Sequence, residues 1–167
     1  MQLPPPPPDY EKRMPRHDEA PRLCGVGTDI FGREVRLSPE AAAAWLAMQG
    51  AAEDIGVRLL LVSGFRGLEK QTEIVRRKLE VGMMLEDILK VSAYPGYSEH
   101  HTGRAVDIGS PDCAHLTEDF EKTGEFAWLT AHAVRFGFSL SYPRVNVHGI
   151  AFEPWHWCLS DRRQSHA

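Results

Sequence analysis

Apolar and polar positions change period several times along this chain, and each change marks an element. Up to about Ala20 the chain is polar and charged, interrupted by five consecutive prolines, Pro4 to Pro8. That predicts an extended polyproline segment in a solvated tail over residues 1–22. A domain is expected over 23–160 and a second tail over 161–167. Val35-Arg36-Leu37 predicts a short strand. Ser38-Pro39-Glu40 is a helix start, with a capping hydroxyl, proline at the first position and an acid in the first turn. The helix should run to Ile55, stop at Gly56 and bury Trp45, Ala52 and Ile55. Val57 to Ser63 is nearly continuous in apolar residues and predicts a central strand. Leu68 to Leu79 predicts a helix with Ile74, Val75 and Leu79 inward, ended by Gly82. A second short helix is expected over Met83 to Val91.

Beyond a turn-rich loop, Ala93 to Tyr97, the residues Ala105 to Gly109 alternate and predict a strand. Val106 and Ile108 should face a core, leaving Asp107 toward a cleft. Phe126 to Phe136 predicts an amphipathic helix carrying Trp128, Leu129 and Val134 inward. Phe138 to Tyr142, Gly149 to Phe152 and Trp155 to Leu159 complete the expected strands. Helices flanking a small, mainly antiparallel sheet define an α+β fold.

Composition narrows the classes. The chain has 167 residues, 43% hydrophobic and 25% charged, ordinary for one globular domain. A net charge of −4 argues against a general nucleic-acid binder. No apolar run reaches the ~20 residues of a membrane span. The N-terminus lacks the charged and apolar regions of a signal peptide, which predicts a cytoplasmic location for the chain as it stands. A leader removed upstream would instead place it in the periplasm or at the cell surface. Cys24, Cys113 and Cys158 share no close spacing, so neither a disulfide framework nor a thiolate zinc site is expected. A monomer is expected.

The chemistry concentrates in two stretches. Ser98-Glu-His-His-Thr-Gly-Arg-Ala-Val-Asp107 sets two imidazoles ahead of a carboxylate, with Gly103 free to bend between them. Glu153-Pro-Trp-His156 adds an acid and a third imidazole. His100, Asp107 and His156 together form the ligand set of a hydrolytic zinc site, which keeps one position for water. Zinc lowers the pKa of that water toward ~7, and Glu153 is the candidate base. His101 is the competing ligand to His100. The other histidines, His17, His115, His132, His148 and His166, are read as tail or ordinary polar residues. Positions three apart do not share a face on a regular strand, so Pro154 must kink the chain to turn Glu153 and His156 to one cleft. Arg66, on the Ser63-Gly-Phe-Arg66 turn, can hold a carboxylate or an oxyanion. Gln71 lies one helical turn on, Trp155 offers an apolar wall, and Ser98 can hydrogen-bond a peptide.

These motifs, with Pro95-Gly-Tyr-Ser-Glu-His100 and Phe136-Gly-Phe138 running into Tyr142-Pro143, resemble the zinc D-alanyl-D-alanine peptidases of the VanY type. The resemblance covers roughly Leu59 to Leu159. It implies the fold shared by VanX-type dipeptidases, lysostaphin-like endopeptidases and hedgehog domains. It implies one zinc ion on His100, Asp107 and His156, a base at Glu153, and Arg66, Ser98 and Gln71 at the substrate. The implied partners are peptidoglycan stem peptides or muropeptides ending in D-alanine. Phage-type endopeptidases share the first motif, but Glu-Pro-Trp-His favours the carboxypeptidase branch. An L,D-carboxypeptidase, a D-Ala-D-Ala dipeptidase and a non-catalytic zinc-stabilised peptide-binding module are the alternatives.

Overall fold

The computed structural model describes residues 2–161; residues 162–167, and with them His166 and most of the expected C-terminal tail, lie outside it. The fold is α+β, as expected. A two-stranded antiparallel hairpin joins β1 (Cys24–Thr28) and β2 (Glu34–Leu37). A four-stranded antiparallel sheet holds β3 (Leu60–Ser63), β4 (Ala105–Gly109), β5 (Phe138–Leu140) and β6 (His156–Leu159) in the order β3-β4-β6-β5. The helices are α1 (Tyr10–Arg13), α2 (Pro39–Glu53), α3 (Leu68–Glu80), α4 (Leu85–Ile88) and α5 (Gly124–His132). Among the described residues no helix is long and apolar enough to cross a membrane.

The helix start at Ser38 forms as expected: its hydroxyl accepts the Ala41 N–H and Pro39 takes the first position. Helix α2 lays Trp45 and Met48 into one core with Leu59, Val106, Ile108, Leu129 and Phe138. Trp45 is fully buried, and truncating such a side chain to alanine costs about 3–5 kcal/mol. Strand β4 lies between β3 and β6 and is buried along its whole length. That accounts for its apolar character on both sides of Asp107.

Several sequence expectations are corrected. The apolar run ending in β3 lies at the sheet edge instead of its centre. Leu61 and Val62 are buried, and the Ile30 N–H donates to the Leu61 carbonyl at 3.0 Å. The run reports burial by neighbouring loops, not a central position. Ile55 is 64% exposed because α2 ends at Glu53. Val134 is 75% exposed; the chain tightens after His132 into a 3-10 turn, Ala133–Phe136, which buries Ala133 instead. Tightening to about three residues per turn rotates the inward face by one position. The helix expected over 83–91 shrinks to α4. Residues 149–152 are not a strand: Ala151 N–H bonds to Lys90 O and Ile150 O accepts from Asn146.

Most of the N-terminal segment is exposed, but it is anchored to the domain at two points. Tyr10 and Met14 are buried in a second core with Leu89, Tyr97, Tyr142 and Ile150. The Tyr10 hydroxyl accepts the Tyr94 N–H at 2.9 Å, and the Tyr94 hydroxyl donates to Pro4 O at 3.0 Å. Arg13 donates to His148 O, His17 N–H to Gly96 O, and Ala20 N–H to His101 O. Two apolar residues four apart, one helical turn, anchor a stretch that otherwise reads as polar.

Candidate functional site

The Ser98 hydroxyl accepts the His100 N–H and opens a 3-10 turn, Glu99–Thr102. Gly103 ends that turn in the left-handed region, at φ 68°. A Cβ there would lie 2.7 Å from Ser38 N, so only glycine allows this turn to dock on the start of α2. The turn separates the two adjacent imidazoles. His101 is satisfied at both nitrogens: Nδ1 donates to Arg66 O at 2.7 Å and Nε2 accepts the Gly96 N–H at 3.0 Å. It is a structural residue. His100 Nδ1 donates to Gly64 O at 2.7 Å. A carbonyl only accepts, so the proton sits on Nδ1 and the Nε2 lone pair is free. That Nε2 is buried with no hydrogen-bond partner.

Strands β4 and β6 supply the other two groups. Asp107 pairs directly opposite His156, so both side chains leave the same face. Asp107 Oδ1 lies 3.3 Å from His100 Nε2 and 3.1 Å from His156 Nδ1. One donor atom from each of the three residues falls within 4.8 Å of the others, and all three residues are buried. Two imidazoles and one carboxylate suit zinc better than magnesium or calcium, which prefer oxygen shells. The free His100 lone pair is the direct sign that the cluster fits an ion.

The charges prepare two of the three groups for an ion, and the third, His156, has to lose a proton to ligate. Burial, with Arg66 nearby, pushes the His100 imidazole down to about 4, leaving it neutral and able to ligate. Burial opposes ionisation of Asp107, but His100 and His156 outweigh it and hold the carboxyl well below its usual range. Burial also opposes protonation of His156, yet Asp107 and Glu99 between them push it up to about 10.

Glu153 enters through a tight turn. The His156 N–H closes onto Glu153 O at 3.2 Å, with Pro154 and Trp155 at the corner. The Trp157 indole N–H donates to Pro154 O at 2.9 Å and fixes it. This is the kink expected at Pro154. It brings Glu153 Oε2 to 3.8 Å from His156 Nδ1. Burial, with Asp107 and Glu99 adding repulsion, pushes the Glu153 carboxyl up to about 7, against the pull of His156 and Arg66.

A cleft of about 450 Å³ opens over these groups, and all eight residues singled out in the sequence line it. Arg66 leaves the turn after β3 with its Nε buried and unpartnered. Gln71 is almost fully buried, donates to Ala93 O at 2.8 Å and keeps a free Oε1. Trp155 backs onto the main core. Ser98 is occupied as the cap that aims His100.

Three ionisable cleft residues were given no role at the site from the sequence: Glu99, Tyr142 and Lys78. Glu99 Oε1 stands 3.6 Å from His156 Nε2, and Ser141 donates to its Oε2 at 3.2 Å. At that distance Glu99 acts on the imidazole through its charge, and Nδ1 is the nitrogen on the side of Asp107. Tyr142 lays its ring 4.9 Å from that of His156. In sequence Glu99 looks like any acid in a first turn; its neighbour across the fold is what gives it a role.

With this geometry in view, the comparisons are direct. The chain is 38% identical over 121 residues to the putative carboxypeptidase YodJ of Bacillus subtilis (strain 168), covering 70% of this chain. It spans less than half of that relative, 44% of its length. The structure matches that of the LdcB LD-carboxypeptidase with a TM-score of 0.78 and 29% identity, over 89% of this chain and 72% of the other. It matches a vancomycin-resistance D,D-pentapeptidase VanY variant in complex with Zn(II) with a TM-score of 0.67 and 27% identity, over 92% and 89%. A family model described as VanY, D-alanyl-D-alanine carboxypeptidase, matches residues 34–161, which hold both chemical motifs and the whole four-stranded sheet, and the chain belongs to that family.

Proposed function

We propose that this chain is a zinc-dependent carboxypeptidase that removes the C-terminal D-alanine from peptidoglycan-type stem peptides. The observation that carries the reading is the pairing of a metal-type cluster with a buried carboxyl poised near 7 on the same cleft floor. A purely structural metal site has no use for such a group, which argues against a binding module.

His100 Nε2, Asp107 and His156 would hold one zinc ion, in keeping with the Zn(II) complex of the VanY relative. Zinc supplies Lewis acidity toward a peptide carbonyl and toward water. Glu153 takes a proton from the attacking water as the new C–O bond forms, then gives it to the leaving amine nitrogen as the C–N bond breaks. A base tuned near neutrality does both well. Arg66 holds the free C-terminal carboxylate or the developing oxyanion through its planar fork. Gln71 offers its free Oε1, Ser98 keeps a hydroxyl proton to donate while its oxygen caps His100, and Trp155 excludes water from one side. Every group comes from one chain, which supports action as a monomer.

The likeness to an LD-carboxypeptidase supports a second reading, in which the bond cleaved is L,D. Mass spectrometry of tri-, tetra- and pentapeptide muropeptides after incubation with zinc-loaded protein decides. Conversion of penta- to tetrapeptide is expected; tetra- to tripeptide would select the second reading. No loss of D-alanine from either would overturn both.

A further inference from the structure

We propose that Lys78 is a second carboxylate-binding point in the cleft, for a peptide that bears a free carboxylate on the amino-terminal side of the bond cleaved. The inference rests on the carboxypeptidase reading and names the class of peptide that the site takes.

Gln71, Ile74 and Lys78 recur at helical spacing on one face of α3, and all three line the cleft. Of the other cations in the middle of that helix, Arg76 does not line the cleft and keeps a buried, unpartnered Nε, and two are engaged on the exposed face. Lys70 pairs with Glu73 at 3.3 Å, and Arg77 pairs with the same carboxylate, both on the exposed face. Lys78 has no acid within ion-pair distance among the described residues. It is half-buried, and its ammonium donates to the Ser92 hydroxyl at 2.7 Å. An ammonium has three donors, so Ser92 aims the group and leaves two free. The charged groups that act on Lys78 are Arg66, which repels it, and Glu153, which attracts it. Arg66 also lacks an acidic partner among the described residues and carries a buried, unsatisfied Nε. Two cations thus face one partly dry cleft with no acid at ion-pair distance among the described residues, Glu153 acting on both only from farther off. Such groups are costly unless paired, and a substrate with two carboxylates pairs both.

Spacing sets where the second carboxylate lies. Gln71 to Lys78 is seven residues, about 10 Å along a helix axis. That is about three residues of extended peptide. With the C-terminal carboxylate at the Arg66 and Gln71 end, Lys78 meets a group two or three residues upstream. Two chemistries supply one: an acidic side chain, or a glutamate joined through its γ-carboxyl, whose α-carboxylate is free.

The test uses zinc-loaded wild type, Lys78→Met and Lys78→Arg, and D-alanine-terminated peptides that differ only in free or amidated carboxylate at each upstream position. The wild type is expected to prefer the free carboxylate by roughly tenfold or more in kcat/KM, mainly through KM. Lys78→Met should erase the preference and Lys78→Arg should keep part of it. The position whose amidation removes the preference identifies the source. No preference in the wild type, or an equal loss on both peptides in Lys78→Met, overturns the proposal. If no peptide is cleaved at all, the carboxypeptidase reading fails on its own. Calorimetric binding of the same peptides to wild type and Lys78→Met then still decides Lys78, by the same preference and its loss.

Discussion

The floor and the α3 wall of the cleft solve opposite problems. On the floor, His100, Asp107 and His156 are buried, Glu99 is partly buried, and the four stand within 3.6 Å of one another in sequence of contact. Each has its orientation fixed by a partner from a different element. On the wall, Arg66 and Lys78 keep cationic ends with no acid at ion-pair distance among the described residues. The floor brings donor atoms together on one point; the wall holds charge out toward the open cleft. Preorganisation by burial is suited to holding a cofactor permanently, and half-exposed, unpaired charge is suited to a ligand that must come and go.

The contrast can be broken hardest at the floor. His100→Ala should lose most of the bound zinc by metal analysis, while His101→Ala keeps it unless the loop from Gly96 collapses. The reverse pattern would shift the ligand by one residue. Next, Glu153→Gln should retain a full equivalent of zinc and lose about 10²–10⁴-fold in kcat. Near-normal turnover with normal metal would move the base elsewhere. Glu99→Gln should weaken zinc binding about 10- to 100-fold in competition with a chelator. Unchanged affinity would reduce Glu99 to packing. At the wall, Arg66→Lys should leave zinc untouched and lower kcat/KM roughly 10- to 100-fold on peptides with a free C-terminus. An equal loss on peptides with an amidated C-terminus would show that Arg66 serves the oxyanion and not the carboxylate.

The floor was largely legible in the sequence, because its logic is local. His100 precedes Asp107 by one turn and one strand start, and Pro154 forces the geometry that Glu153 and His156 need. What stayed hidden depends on residues far apart in the chain. Glu99 acquires meaning only beside His156, and Lys78 only against Ser92 and the open cleft. Strand β1, with glycines at 25 and 27, carries too little pattern to read alone and exists through its pairing with β2. Tyr10 and Met14 sit among charges, and nothing nearby announces that a second core awaits them. Val134 obeyed the helical period until the chain changed to a tighter one. Periodicity reports which residues can be buried together, while tertiary contacts decide which are.

The direct opposition of Asp107 and His156 carries a consequence for how the chain finds its fold. Strands β4 and β6 are five and four residues long and are remote in sequence. Few ladder bonds distinguish their alignment from a neighbouring one. A slip of one residue turns the whole set of side chains on that strand to the other face. It would carry His156 away from Asp107 and dissolve the three-ligand cluster. Because metal binding energy adds to folding energy only where the ligands converge, an ion rewards one alignment and no other. The cofactor of this site therefore also acts as a proofreader of strand pairing, favouring the single alignment from which the chemistry can begin.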